Sequence, residues 1–187
     1  LKVIFEKETY KILGAQAVGY EGVEKRIDVI ATAIFAGLTA DKLKDLELSY
    51  APPYSSAKDP VNMAGFIIEN MKNGIVGQFY YEDIPSLQKR DDITLLDTRT
   101  VYEYMRGHAE GFINIPVDEL RERLTELDKS KPVYVMCQSG LRSYLATRIL
   151  MQNGFDAYNF AGGYRLYGTM YYDEVVSKNA YDCGMEK

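Results

Sequence analysis

Apolar and polar positions fall into two rhythms along the chain. Val3, Ile4 and Phe5 lie in one β-rich run, and Ile12 and Leu13 open another. The charged stretch EKETYK separates them, which predicts a hairpin. From Val23 to about Ala36 the spacing turns helical, with Ile27, Ile30, Ala31 and Ile34 on one face. Gly22 precedes this helix and Gly37 is placed to stop it. Thr39 is placed to cap a second short helix, TADKLKDL. The prolines of YAPPYSSAKDP predict an extended, turn-rich path. Asp59 then stands as N-cap, with Pro60 at the first helical position, of a helix to about Lys72.

Asn73-Gly74 and Gly77 punctuate a boundary, after which strands and helices alternate. A helix around EDIPSLQKR leads to the apolar strand ITLLD, then to a helix VYEYMR and the loop RGHAEGFINIP. A helix over DELRERLTEL leads to the strand PVYVMC. The loop QSGLR, the helix SYLATRILMQNG, the strand DAYNF and the turn AGG follow. Short apolar strands separated by helices predict a parallel sheet covered on both faces. The expected organisation is a first domain over 1–73, a second over 76–172 and a tail over 173–187 that lacks clear periodicity.

Composition narrows the function classes. The 187 residues are 47% hydrophobic and 26% charged, so the chain has material for a core. Lys and Arg against Asp and Glu stand at 9 to 10 in residues 1–74 and 13 to 17 in residues 75–187. Neither part carries the basic footprint of a nucleic-acid or anionic-membrane partner. The longest uncharged apolar run, Val29–Leu38, is too short to span a bilayer. No signal-peptide pattern is found. Two dispersed Cys and one His make neither a disulfide framework nor a zinc site, so no metal is expected and a reducing cytoplasm fits best. The chain opens on Leu1 in mid-pattern, as a fragment of a longer protein would.

Candidate chemistry concentrates at Cys137, between the strand VYVM and a helix. Ligands of parallel α/β units bind where strands end and helices begin. The residues between, Gln138 to Ser143, form a loop short enough for its N–H groups to converge on one centre. Gly140 allows the curl, and the helix N-terminus and Arg142 add positive charge. All three favour a nucleophilic thiolate over a buried, inert cysteine.

CQSGLRS resembles the active-site loop of the rhodanese family. LLDTR resembles that family's Asp-x-Arg strand end, GHAEGFINIP its Gly-His-x-x-Gly-Ala-x-Asn-Ile-Pro segment, and FAGGYRLY its Gly-Gly turn. Phe112 and Tyr167 depart from the family's Ala and Trp. The resemblance spans about Ile75 to Met170 and implies a sulfurtransferase in which Cys137 takes a sulfane sulfur, holds it as a persulfide and passes it to a thiol. The N–H groups of Gln138, Ser139, Gly140, Leu141, Arg142 and Ser143 would hold the outer sulfur. Six residues from Cys137 to Arg142 match the family's sulfurtransferases; related phosphatases use a loop one residue longer. In the family the counterpart of His108 is structural. Asp97 and Arg99 stand at the pocket edge or form an ion pair. Cys183 is a resolving thiol or a free thiol on the tail. GAQAVG lacks the spacing of a phosphate loop and lies within a strand.

KILGAQAVG, GVEKRIDVIATAI and LELSYAPPYSSAKDPVNMAG resemble the C-terminal dimerisation domain of FAD-dependent pyridine nucleotide-disulfide oxidoreductases. The nearest pattern is the coenzyme A-disulfide reductase and NADH oxidase branch, some members of which carry a fused rhodanese domain. The resemblance implies an α/β rhodanese-like domain, its parallel sheet flanked by helices, preceded by a small α+β dimerisation domain. It implies a homodimer in which Tyr50 or Tyr54 faces the partner's flavin site. The parent chain would bind FAD, NAD(P)H and coenzyme A, none of them bound by this fragment alone. A sulfane-sulfur donor and a thiol acceptor would be its small partners. The alternative is a non-catalytic dimerisation and sulfur-delivery module.

Overall fold

The structure, a computed structural model, describes residues 1–172. The chain divides between Ile75 and Val76 into two compact units.

In the first unit, β1 (Lys2–Phe5) and β2 (Ile12–Gln16) form the expected antiparallel hairpin. Helices α1 (Val23–Phe35) and α2 (Pro60–Lys72) follow. Ile12, Ile30, Ala33, Leu43, Val61 and Ile68 meet in one core. Asp59 caps α2 as the sequence predicts: its side chain accepts from Val61 N–H at 3.0 Å, and Asn62 answers from N3. The Asn62 amide also donates to the carbonyls of Leu43 and Leu46 at 3.1 and 2.8 Å, tying α2 to the preceding segment. That segment, expected as a helix, is a 3-10 turn over Ala40–Asp45, and Thr39 makes no side-chain cap bond to its backbone. The tighter turn seats Ala40 and Leu43 in the core.

The second unit is a five-stranded sheet of order β3-β7-β6-β4-β5, every pairing parallel. The strands are β3 (Gly77–Phe79), β4 (Thr94–Asp97), β5 (Ile113–Asn114), β6 (Val133–Met136) and β7 (Ala157–Phe160). The helices are α3 (Ile84–Leu87), α4 (Val101–Met105), α5 (Leu141–Gln152) and α6 (Gly163–Met170). Residues of β6 alternate between two cores. Val133 and Val135 pack with Ala146, Ile149 and Leu150 of α5, while Met136 packs with Ile84, Leu87 and Tyr167 on the other face. Burial on both faces explains why these strands read as continuous apolar runs.

The helix expected over DELRERLTEL is absent. Bonds such as Glu119 N–H to Pro116 and Leu120 N–H to Val117 span three residues, and a single 3-10 turn covers Leu124–Glu126. These turns carry Leu120 and Leu127 into the core, and Arg123 spans Glu119 and Glu126 at 2.9 and 2.7 Å. Tertiary packing overrides a helical pattern. Among the described residues no helix is long and apolar enough to cross a membrane.

Candidate functional site

Cys137 directly follows β6, and Gly140, at φ 114, caps the start of α5. The loop between curls back on the thiol. Gly140 N–H points at Cys137 Sγ at 3.1 Å, and Ser143 Oγ lies 3.2 Å from it. Ser143 Oγ is also 3.1 Å from the Gly140 carbonyl, so its single proton has two acceptors to choose between. Cys137 is 1% exposed, deeper than reactive cysteines usually lie, while Ser139 and Leu141 bring the loop to the surface.

A second element fixes the direction of the loop. Tyr164 N–H donates to the Cys137 carbonyl at 2.7 Å, and Arg165 N–H to the Gln138 carbonyl at 3.1 Å. With these carbonyls engaged by α6, the N–H groups of the loop are left for the sulfur side. Gly163 makes the approach possible. A Cβ there would lie 2.6 Å from Ser139 N and 2.7 Å from Cys137 O, and its φ of 67 is left-handed.

Asp97 and Arg99, at the end of the adjacent β4, form a buried ion pair, Nη2 to Oδ2 2.7 Å. Arg99 also donates to the Gly107 carbonyl at 2.8 Å, reaches Gln138 Oε1 at 3.4 Å and lies over the Tyr164 ring at 3.8 Å. One guanidinium thus joins β4, the α4–β5 connection, the cysteine loop and α6. Asn114 donates to the carbonyls of Asp97 and Arg99, both at 2.9 Å, and closes the same edge.

Arg142 carries the charge expected of it, but that charge is paired. Its two terminal nitrogens meet the two oxygens of Glu103 at 2.6 and 2.7 Å. Glu103 is at the same time the N3 member of a capping box with Thr100 at the start of α4. Held first of all by Arg142, its carboxyl falls to about 2, well below the ordinary 4.5, and Arg142 is raised in turn. Glu103 escaped the sequence reading, although Thr-x-x-Glu before a helix is a capping signature. The hydroxyl of Ser143 and the role of α6 escaped it too.

His108 is exposed and stacks on Tyr104 at 3.9 Å, with Nδ1 3.1 Å from the Tyr104 carbonyl. This is a structural setting. Tyr50 and Tyr54 are exposed in the first unit. Cys183 and the tail lie outside the described residues. Among the described residues no three His, Cys, Asp or Glu gather as a metal site.

The comparisons with known proteins agree with this architecture. Residues 81–169 match the rhodanese-like domain, and residues 1–60 the dimerisation domain of pyridine nucleotide-disulphide oxidoreductases. A coenzyme A disulfide reductase of Staphylococcus aureus is 50% identical over 66 residues, 35% of this chain and 15% of that protein. The crystal structure of reduced Bacillus anthracis CoADR-RHD superposes with a TM-score of 0.88 at 48% identity, covering 92% of this chain and 31% of that one. A NAD-dependent persulfide reductase from A. fulgidus gives 0.75 at 43%, covering 86% and 28%. The chain therefore spans less than a third of the length of these relatives. The resemblances read from CQSGLRS and from KILGAQAVG are both borne out: the chain joins a pyridine nucleotide-disulphide oxidoreductase dimerisation domain to a rhodanese-like domain.

Proposed function

We propose that this chain is the C-terminal part of a flavoprotein disulfide or persulfide reductase linked to coenzyme A, and that its second domain carries sulfane sulfur on Cys137. The observation that carries the reading is the convergence of Gly140 N–H and Ser143 Oγ on Cys137 Sγ while α6 engages the carbonyls behind the loop. The sulfur of Cys137 attacks the outer sulfur of a donor persulfide, R–S–SH. A Sγ–S bond forms, the donor S–S bond breaks, and the thiolate RS⁻ leaves. The N–H groups of Gln138 to Ser143 hold the new outer sulfur. An acceptor thiol, coenzyme A in the parent, then attacks that sulfur and regenerates Cys137. No external oxidant or reductant enters either step.

FAD and NAD(P)H belong to the parent beyond these residues. Only Gly14 to Gln16 of GAQAVG lie in β2, and Ala17 to Gly19 run into the loop before α1, so contrary to expectation the stretch is not wholly within a strand. It still lacks the GxGxxG spacing, and its strand is antiparallel, so it does not fit a dinucleotide-binding turn. The first domain supplies homodimer contacts, and Tyr50 or Tyr54, both exposed in this chain, faces the partner's flavin site. A reducing cytoplasm suits a working thiol. The test is transfer: sulfur-loaded chain mixed with coenzyme A should yield coenzyme A persulfide in proportion to protein. Loaded protein that keeps its sulfur in the presence of coenzyme A and other thiols contradicts the reading.

A further inference from the structure

We infer that Glu103 is a specificity-determining residue that pairs with Arg142, lowering the site's affinity for dianionic sulfur donors and leaving it selective for persulfides of organic thiols. The inference rests on the reading of Cys137 as a sulfane-sulfur carrier.

A donor such as thiosulfate brings two negative charges to the loop. Its sulfane sulfur transfers to Cys137 as sulfite leaves, so its affinity depends on cations close to the thiol. Two arginine side chains bond within this site, and carboxylates hold both. Arg99 is bound by Asp97 through Nε and Nη2. Arg142 is bound by Glu103 through both terminal nitrogens. The four charges of these two pairs sum to zero, so neither guanidinium turns an unmatched charge towards the donor. A fork of this kind, once filled by a carboxylate, is not available to an oxyanion in the same geometry.

The pair is also held from behind. Glu103 Oε2 accepts from Thr100 N–H at 2.9 Å, so α4 anchors the carboxylate against Arg142. Tyr102 and Leu141, the sequence neighbours of the two partners, are exposed at 69% and 65%, and Arg106 lies over the Tyr102 ring at 5.4 Å. Exposed side chains of this size suit the body of an organic carrier whose charge lies away from the reacting sulfur. A persulfide delivered on such a carrier needs only the loop N–H groups for its outer sulfur.

Glu103→Gln tests this directly, because Gln preserves the capping box and removes the charge. Sulfur loading of the chain is followed with thiosulfate and, separately, with glutathione persulfide. In the variant the KM for thiosulfate should fall about fivefold, while that for glutathione persulfide stays within about twofold. The Thr100→Ala variant weakens the cap without changing any charge. It should lower Tm and leave the preference between donors as in the wild type. Equal changes for both donors in Glu103→Gln, or a Thr100→Ala variant that shifts the preference as much, overturns the inference. Failure of the wild type to load sulfur from either donor overturns the sulfur-carrier reading instead, so the two failures are distinguishable.

Discussion

Gly163→Ala perturbs the site without touching the thiol. The added Cβ meets three backbone atoms: Ser139 N at 2.6 Å, Cys137 O at 2.7 Å and Gln138 C at 2.7 Å. Comfortable contact is about 3.4 Å or more, so the loop or α6 must give by roughly 0.7 Å. Backbone cannot swing aside as a flexible side chain does. Overpacking costs about 1–3 kcal/mol, and a left-handed φ on a non-glycine residue about 1 kcal/mol more. Together, about 2–4 kcal/mol should lower the Tm of the rhodanese-like unit by on the order of 10 °C or more. The bonds from Tyr164 and Arg165 to the loop carbonyls lie beside the clash. Their displacement turns the N–H groups, and sulfur loading should slow about 10- to 100-fold. Gly154→Ala is the control. It has φ 83 with nothing within 4 Å of its Cβ, so it meets the backbone cost alone. Differential scanning calorimetry and the loading rate by intact mass read both effects. A Gly163→Ala protein that melts with Gly154→Ala and loads like the wild type refutes the close-packing argument.

Arg99→Lys loses the fork on Asp97, the Gly107 bond and the contact with Tyr164, and should destabilise the unit by about 2–4 kcal/mol in urea unfolding; a change under about 0.5 kcal/mol counts against its bridging role. Asn62→Ala removes two bonds to the 3-10 segment and the N3 half of a cap, and should cost about 1–3 kcal/mol in the first unit while the sulfur-loading rate stays unchanged. Glu103 has a folded pKa of about 2 against an ordinary 4.5. Its pairing therefore stabilises the fold in full above about pH 4.5 and is lost as pH falls towards 2. Acid titration followed by circular dichroism should show a shallower loss of stability over that range in Glu103→Gln than in the wild type. Light scattering at concentrations on the order of tens of micromolar should give a dimer; a clean monomer contradicts the dimerisation role proposed for the first domain in this chain.

Local chemistry made much of this molecule readable. Asp59-Pro60 announced the start of α2 because both residues act within one turn. The strands β4, β6 and β7 announced themselves by continuous burial, and Cys137 by its place between strand and helix. What stayed hidden depends on distant partners. The pairing of Arg142 with Glu103 joins residues 39 apart in sequence, and nothing next to Arg142 signals it. The Gly-Gly turn was visible, but its grip on the carbonyls of Cys137 and Gln138 comes from α6 arriving after β7. The segment DELRERLTEL misled because Leu120, Leu124 and Leu127 stand at helical spacing, while the packing there is met by turns.

Sulfur carriage by Cys137 is read from the intact mass of this chain after incubation with glutathione persulfide and removal of excess donor. One added sulfur atom is expected, released by a thiol reductant, and none in Cys137→Ser. An unchanged wild-type mass, or the same addition in Cys137→Ser, contradicts it.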